Sequence, residues 1–335
     1  MDFEFRHGYE AAIVGATGCL GRELVQQIGT VIPIRKLHLF ASKSSQGDYV
    51  DVEGESIRIQ PLQDKALPTD IRSSIHVVFL CCPRDLAIKI GYELSEEGIA
   101  VVDLTGALGE TIGFSLGGLA DKVENFQSHR MISLPAPSTA ALARVWEALH
   151  SFQPIQLSSV VSVSASRFGQ QGIEELAKQV RGLLNFQEAP QVLFPDGLAF
   201  DMLPAIGTST SIGQPESQLS TALADILALE PNRFRSRIQV ASIFSGVSMH
   251  VQISLANNPV LEEVLETLTK SELVECRQQL PALRSVGGEA SVTVGRVDVN
   301  PWIQGVELQV QLDNVSFAVH NALAIVHRFH SMDVL

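Results

Sequence analysis

Glu10-Ala11-Ala12-Ile13-Val14-Gly15-Ala16-Thr17-Gly18-Cys19-Leu20-Gly21 decides the fold of this chain. An apolar run ends in glycine, as a strand buried on both faces does. Three glycines follow at the spacing of a strand-to-helix turn, and Leu20, Leu24 and Ile28 then share one helical face. Gly15 suits the tight turn, Gly18 lets backbone approach a pyrophosphate, and Gly21 allows close helix-strand packing. The amides and dipole of the helix start favour phosphate. The expected contacts of a dinucleotide are therefore Gly15, Thr17, Gly18, Cys19, Leu20 and Gly21. The plainer reading is a turn that serves packing alone.

The same grammar continues outward. Lys36–Ala41, His76–Leu80 and Ile99–Leu104 read as further strands, and Asp85–Glu97 as a helix with Leu86, Ile90 and Leu94 in register. Alternating strands and helices predict a doubly wound parallel sheet, a Rossmann-like domain. Beyond Ser133 the pattern changes. Ser138–His150, Gly172–Asn185, Gln218–Leu229, most of Pro259–Cys276 and Phe317–Phe329 read as helices. In Gly172–Asn185 the apolar stripe is Ile173, Leu176, Val180 and Leu183. Ser158–Ser166, Arg237–Phe244, Ser248–Leu255, Val292–Val297 and Val306–Leu312 read as strands. The expected fold class is α/β: a Rossmann-like parallel-sheet domain followed by an α+β central domain.

Composition agrees with two domains for 335 residues. Hydrophobic residues are 45% and charged residues 18%, which excludes a disordered chain. A net charge of -13 argues against a nucleic-acid partner. No apolar run reaches the ~20 residues of a membrane helix, and Met1–Glu10 has no apolar signal core. Cys19, Cys81, Cys82 and Cys276 lack the spacing of a zinc site or a disulfide framework. A cytoplasmic protein with reduced thiols, no metal and no membrane partner is expected.

The loop after the second strand selects the cofactor. An acid there would hold an NAD ribose and repel a 2′-phosphate. The loop Ala41–Gly47 has no acid until Asp48, and Ser42, Lys43 and Ser44 suit a 2′-phosphate. NADP is therefore the favoured cofactor, the alternative being a solvated surface loop.

GATGCLG at residues 15–21, ASKSSQG at 41–47 and VVDLTGAL at 101–108 resemble the aspartate-semialdehyde dehydrogenase family. So do Leu203-Pro204-Ala205-Ile206-Gly207, Val294-Gly295-Arg296-Val297 and Leu312-Asp313-Asn314-Val315, all in family order. The resemblance implies an NADP-binding domain over 1–133 and 313–335, with a returning C-terminal helix. It further implies a central dimerisation and catalytic domain over 134–312, and hence a homodimer. The family's chemistry is attack by a cysteine thiolate on an aldehyde, hydride transfer to NADP, and release of the acyl group to phosphate.

The residues for that chemistry are missing. Pro137 stands where the resemblance puts the cysteine, Val247 the histidine, and Val240 the substrate-binding arginine. Gly109 replaces a phosphate-binding arginine, Ala165 a glutamine that orients the thiol, and Gln218 a lysine near Glu216. Cys81-Cys82-Pro83-Arg84 replaces a second glycine patch at the nicotinamide, which implies that NADP is held weakly or not at all. His250 is three residues from Val247 and so points to the opposite strand face. The pattern resembles the Usg-type paralogues of the family, which keep the fold without the cysteine. The expectation is a catalytically inactive, dimeric paralogue with no catalytic residues. The alternatives are an oxidoreductase acting without a covalent intermediate, and a partner in a mixed dimer with a true dehydrogenase.

Other side chains read as structural. Ser138 and Thr139 suit a helix cap rather than a nucleophile, since no base accompanies them. Arg167 suits a surface ion pair more than an anion site. His320, His327 and His330 suit a solvated helix face, and Asp103 and Asp313 strand-end turns.

Overall fold

The computed structural model describes residues 8–42, 48–52, 54–62, 66–120, 122–204, 216–257, 259–333 and 335. The chain divides into two compact units, 1–136 with 318–335, and 137–317.

The first unit contains β1 (Tyr9–Val14), α1 (Cys19–Gln27), β2 (Ile34–Ala41), β3 (Tyr49–Val52), β4 (Glu55–Pro61) and α2 (Thr69–Arg72). It continues with β5 (Val77–Leu80), α3 (Arg84–Glu96), β6 (Ala100–Asp103), α4 (Gly109–Ile112), α5 (Val123–His129) and β7 (Met131–Ser133). Its seven strands lie in the order β3-β4-β2-β1-β5-β6-β7, all parallel except the β3/β4 hairpin. β1, β5 and β6 are apolar because both sheet faces are covered. Ile13, Phe79 and Val102 pack on one side with Leu24 of α1 and with Ile28 just after it. Val319, Leu323, Val326 and Phe329, from the chain's last helix, join that layer. Val14, Val78 and Leu80 pack on the other side with Ile90 and Leu94 of α3. The expected doubly wound sheet is present.

The second unit contains α6 (Pro137–Ala148), β8 (Pro154–Val163), α7 (Gly169–Leu184), β9 (Met202–Pro204), α8 (Glu216–Leu227) and β10 (Phe234–Ala241). β11 (Val247–Leu255), α9 (Leu261–Lys270), β12 (Glu275–Cys276), β13 (Thr293–Asn300) and β14 (Gly305–Leu312) follow. α10 (Asn314–Ser331) begins here and runs into the first unit. The sheet order is β12-β13-β14-β11-β8-β10-β9, with β8/β10 and β12/β13 parallel and the other pairs antiparallel. Burial alternates along β10 and β11, so one face is covered and the other is open.

Two local expectations are corrected. Pro137 opens α6, so Ser138 and Thr139 stand inside its first turn rather than capping it. Proline suits that position because its missing N–H is one the helix start would not use. α7 buries Glu175 and Gln179 beside Leu176, whereas Leu183 of the predicted stripe is exposed. Glu175 accepts the amides of Val192, Leu193 and Phe194, at 2.9–3.1 Å. Gln179 accepts the amides of Leu198 and Ala199 at 2.7 and 3.1 Å. These polar groups turn inward because they satisfy backbone donors of an irregular segment.

Candidate functional site

The glycine loop lies between the carboxyl ends of β1 and β2, beside the adjoining end of β5. Gly15 N and Ala16 N both donate to Phe40 O, at 2.8 and 3.0 Å, and Cys81 N donates to Val14 O at 2.8 Å. In this doubly wound sheet the order reverses at β1/β5, the place where such folds bind ligands. The three glycines have different reasons to be there. Gly15 has φ +93°, and a Cβ on it would sit 2.2 Å from Cys81 O. A Cβ on Gly21 would sit 2.2 Å from Gly15 O. Both are demanded by packing. Gly18 is different: its φ of -74° is ordinary, and a Cβ would meet only Gly15 O at 3.4 Å and Cys81 O at 3.9 Å. The fold itself therefore does not require a glycine there.

Gly18 is also the cap residue of α1 and brings no side chain to cap it. The loop thus presents a helix start at a strand end, the setting expected for Thr17, Cys19 and Leu20, all of which are partly exposed. Arg22, which no sequence motif singles out, donates from Nε to Thr17 O at 2.8 Å and puts an exposed cation at the loop. Its signal was simple adjacency to Gly21. Ser42 is exposed just beyond β2. Lys43 and Ser44 lie outside the described residues, as does the Ala205–Gly207 part of a family motif.

The thiols near this loop are not poised for chemistry. Burial pushes the Cys82 thiol up to about 12, with the Asp103 charge adding to it. Burial raises Cys81 further, with smaller contributions from Cys82 and Asp103. For Cys19, burial outweighs a backbone hydrogen bond and the Arg22 charge, and its pKa is raised too. A thiol held protonated is neither a nucleophile nor a metal ligand. Among the described residues no group of His, Cys, Asp and Glu could hold a metal ion.

Asp103, fully buried, accepts from Thr105 N at 2.8 Å, Thr105 Oγ1 at 2.6 Å, Leu108 N at 2.9 Å and Ser133 Oγ at 2.7 Å. Asp313 accepts from Val315 N and Ser316 N at 2.8 and 3.1 Å, and from Gly288 N at 2.9 Å. Both are structural. Gly109 is packed as well: a Cβ there would lie 2.0 Å from Cε1 of the buried Phe114. The Phe114 ring occupies the start of the path an arginine side chain would take.

In the second unit, strand register brings two of the other replaced positions, Val240 and Val247, together. Val240 pairs with Val163, Val163 with Val247, and Val247 with Leu312, in one row across four strands. Val240 is 0% exposed and Val247 2%. The row is packed hydrocarbon, with nothing that holds a carboxylate or moves a proton. His250 is exposed, on the opposite face from Val247. Ala165 is buried. Glu216 accepts from Arg237 Nη1 at 2.7 Å and Ile238 N at 3.2 Å, which anchors α8 to β10. Thr139 Oγ1 is buried without a hydrogen-bond partner among the described residues, so none of them acts as a base on it.

The histidines of α10 do not converge. His330 Nδ1 lies 2.9 Å from Tyr9 Oη, His327 Nδ1 lies 3.3 Å from Val31 O, and His320 is exposed. Among the described residues no helix is long and apolar enough to cross a membrane.

Comparison with known proteins places this geometry. Residues 10–110 match the semialdehyde dehydrogenase NAD binding domain, and residues 142–317 the semialdehyde dehydrogenase dimerisation domain. A USG-1 protein homolog of Azotobacter vinelandii is 27% identical over 300 residues, spanning 86% of this chain and 87% of that protein. Aspartate-semialdehyde dehydrogenase 2 of Vibrio cholerae is 26% identical over 333 residues, spanning 95% and 96%. The crystal structure of aspartate semialdehyde dehydrogenase II from Vibrio cholerae superposes with a TM-score of 0.87 at 23% identity, covering 98% of this chain and 100% of that one. Matched in both of its domains, this chain belongs to the semialdehyde dehydrogenase family.

Proposed function

We propose that this chain is a non-catalytic, dimeric paralogue of NADP-dependent aspartate-semialdehyde dehydrogenase that retains a nucleotide-binding loop. One observation carries the reading. Where covalent aldehyde chemistry needs an arginine and a histidine, the register sets Val240 and Val247 in a single buried row with Val163. Pro137 at the nucleophile's position and the Phe114 ring beside Gly109 support it. The domain boundaries at 133/134 and 312/313 belong to the same proposal.

Nucleotide retention rests on the loop. Gly18 leaves space that packing does not need, it opens α1 without a capping side chain of its own, and Arg22 stands beside it. Ser42, Lys43 and Ser44 supply hydroxyls and a cation rather than an acid, which suits NADP. The dimer rests on the dimerisation-domain match and on apolar surface in that unit. Val160 is 41% exposed in the middle of β8, a strand paired on both sides, and Leu184, Phe186, Val192 and Phe200 are also exposed. Where exposed apolar side chains join in one patch they mark an interaction site, and this reading assigns them to the dimer face.

Calorimetric titration with NADPH and sedimentation analysis test these two parts. Saturable NADPH binding by a dimer is the expected result. A monomer that ignores NADPH overturns the dimer and the retained loop. Phosphate-dependent turnover of aspartate semialdehyde overturns the non-catalytic reading.

A further inference from the structure

Arg167 sits on the short turn Ala165–Phe168 that follows β8. Two backbone hydrogen bonds fix this turn to the segment after β10: Ala165 N donates to Ile243 O at 2.9 Å, and Ser166 N to Phe244 O at 3.0 Å. A third tie comes from Asn314, whose Oδ1 accepts from Ser166 Oγ at 2.9 Å and from Gly246 N at 3.0 Å. β8 and β10 are neighbouring parallel strands, so both segments leave from carboxyl ends on the same side of the sheet.

Within this tied frame the Arg167 guanidinium is half-buried and has no acceptor among the described residues. The carboxylates nearest in sequence are engaged elsewhere: Glu174 with Gln170, and Glu175 with the amides of Val192, Leu193 and Phe194. Asp313, at the start of α10, is taken by three backbone amides. Residues 205–215, outside the described set, read Ala-Ile-Gly-Thr-Ser-Thr-Ser-Ile-Gly-Gln-Pro and contain no acid. Burial lowers the pKa of Arg167, and no neighbouring charge opposes that effect. A guanidinium withdrawn from water without a counter-charge is costly, and an anion beside it removes the cost. Arg144 makes the contrast. It is also half-buried, but its guanidinium lies 5.0 Å over the Phe317 ring.

We propose that Arg167 anchors a binding site for the anionic group, carboxylate or phosphate, of a small molecule at the carboxyl ends of β8 and β10. The planar guanidinium fork matches either group through paired N–H donors. The site is separate in sequence and chemistry from the glycine loop, so failure of one leaves the other standing.

The test uses the full chain, wild type, Arg167→Met and Arg167→Lys. Acetate, succinate and inorganic phosphate are titrated by calorimetry and thermal unfolding against chloride at matched ionic strength. No probe carries a nucleotide, which keeps the result independent of NADP binding. At least one probe is expected to stabilise the wild type. Its affinity should fall about tenfold or more in Arg167→Met, with partial recovery in Arg167→Lys. Without ligand, Arg167→Met should unfold at or above the wild-type temperature, because it removes an uncompensated charge. Preference for the carboxylates or for phosphate assigns the group. The proposal is overturned if no probe binds the wild type, or if all three bind Arg167→Met equally well.

Discussion

Gly18→Ala separates a nucleotide site from a packing turn. The new Cβ meets only ordinary contacts at 3.4 and 3.9 Å, and φ is -74°, so the fold accommodates it. Alanine is the poorer cap residue, but it restricts the unfolded chain by about 0.4–1 kcal/mol. These effects oppose each other, and the net stability change should stay within about 1 kcal/mol, or roughly 2–4 °C in Tm. Nucleotide binding should respond differently. A methyl group where backbone meets pyrophosphate costs about 1–3 kcal/mol, a roughly 5- to 150-fold rise in the Kd for NADPH. Gly15→Ala is the control. Its φ of +93° and a Cβ at 2.2 Å from a backbone carbonyl set strain on top of overlap. That variant should lose about 2–6 kcal/mol of stability. Urea unfolding and calorimetric NADPH titration read both quantities. NADPH binding to Gly18→Ala at the wild-type Kd would refute the assignment of the loop. So would a loss of stability in Gly18→Ala as large as that of Gly15→Ala.

Other consequences follow from the buried row and the buried thiols. Val240→Arg puts a charge at a fully buried position, and should cost about 3–5 kcal/mol in urea unfolding; an unchanged midpoint would mean an open, solvated pocket. Cys82 should alkylate at pH 8 about a thousandfold more slowly in the native protein than in denaturant, and Cys81 more slowly still, because reactivity follows the thiolate fraction. The same raised pKa values mean that the unfolded state releases these protons first. Stability should therefore fall as pH rises above about 8.5, and Cys82→Ser should flatten that fall.

Much of the fold was legible because strong periodicity carries it. β1, β5 and β6 are short apolar runs ending in glycine, cysteine or aspartate, and α1 and α3 keep the predicted residues facing inward. β7, β9 and β12 span two or three residues, too few for a period to show. On α7 the apolar stripe misled. The burial of Glu175 and Gln179 is set by backbone amides between Val192 and Ala199, which no side-chain pattern announces.

The candidate site divides the same way. Each replaced residue could be read singly, but only register shows that Val240, Val163 and Val247 form one packed row. That Phe114 occupies the space beside Gly109 depends on a turn of α4, and the two residues carry no joint signal in sequence. For Arg167 the sequence favours a surface ion pair, and the structure gives it no such partner among the described residues.

The most direct measurement of the central claim is phosphate-dependent reduction of NADP+ with aspartate semialdehyde, followed at the nicotinamide absorbance with purified protein at high concentration. The account predicts no turnover above the protein-free rate, because neither an activated thiolate nor a proton-moving group stands at the replaced positions. Turnover that scales with protein and needs more NADP+ in Gly18→Ala would contradict it.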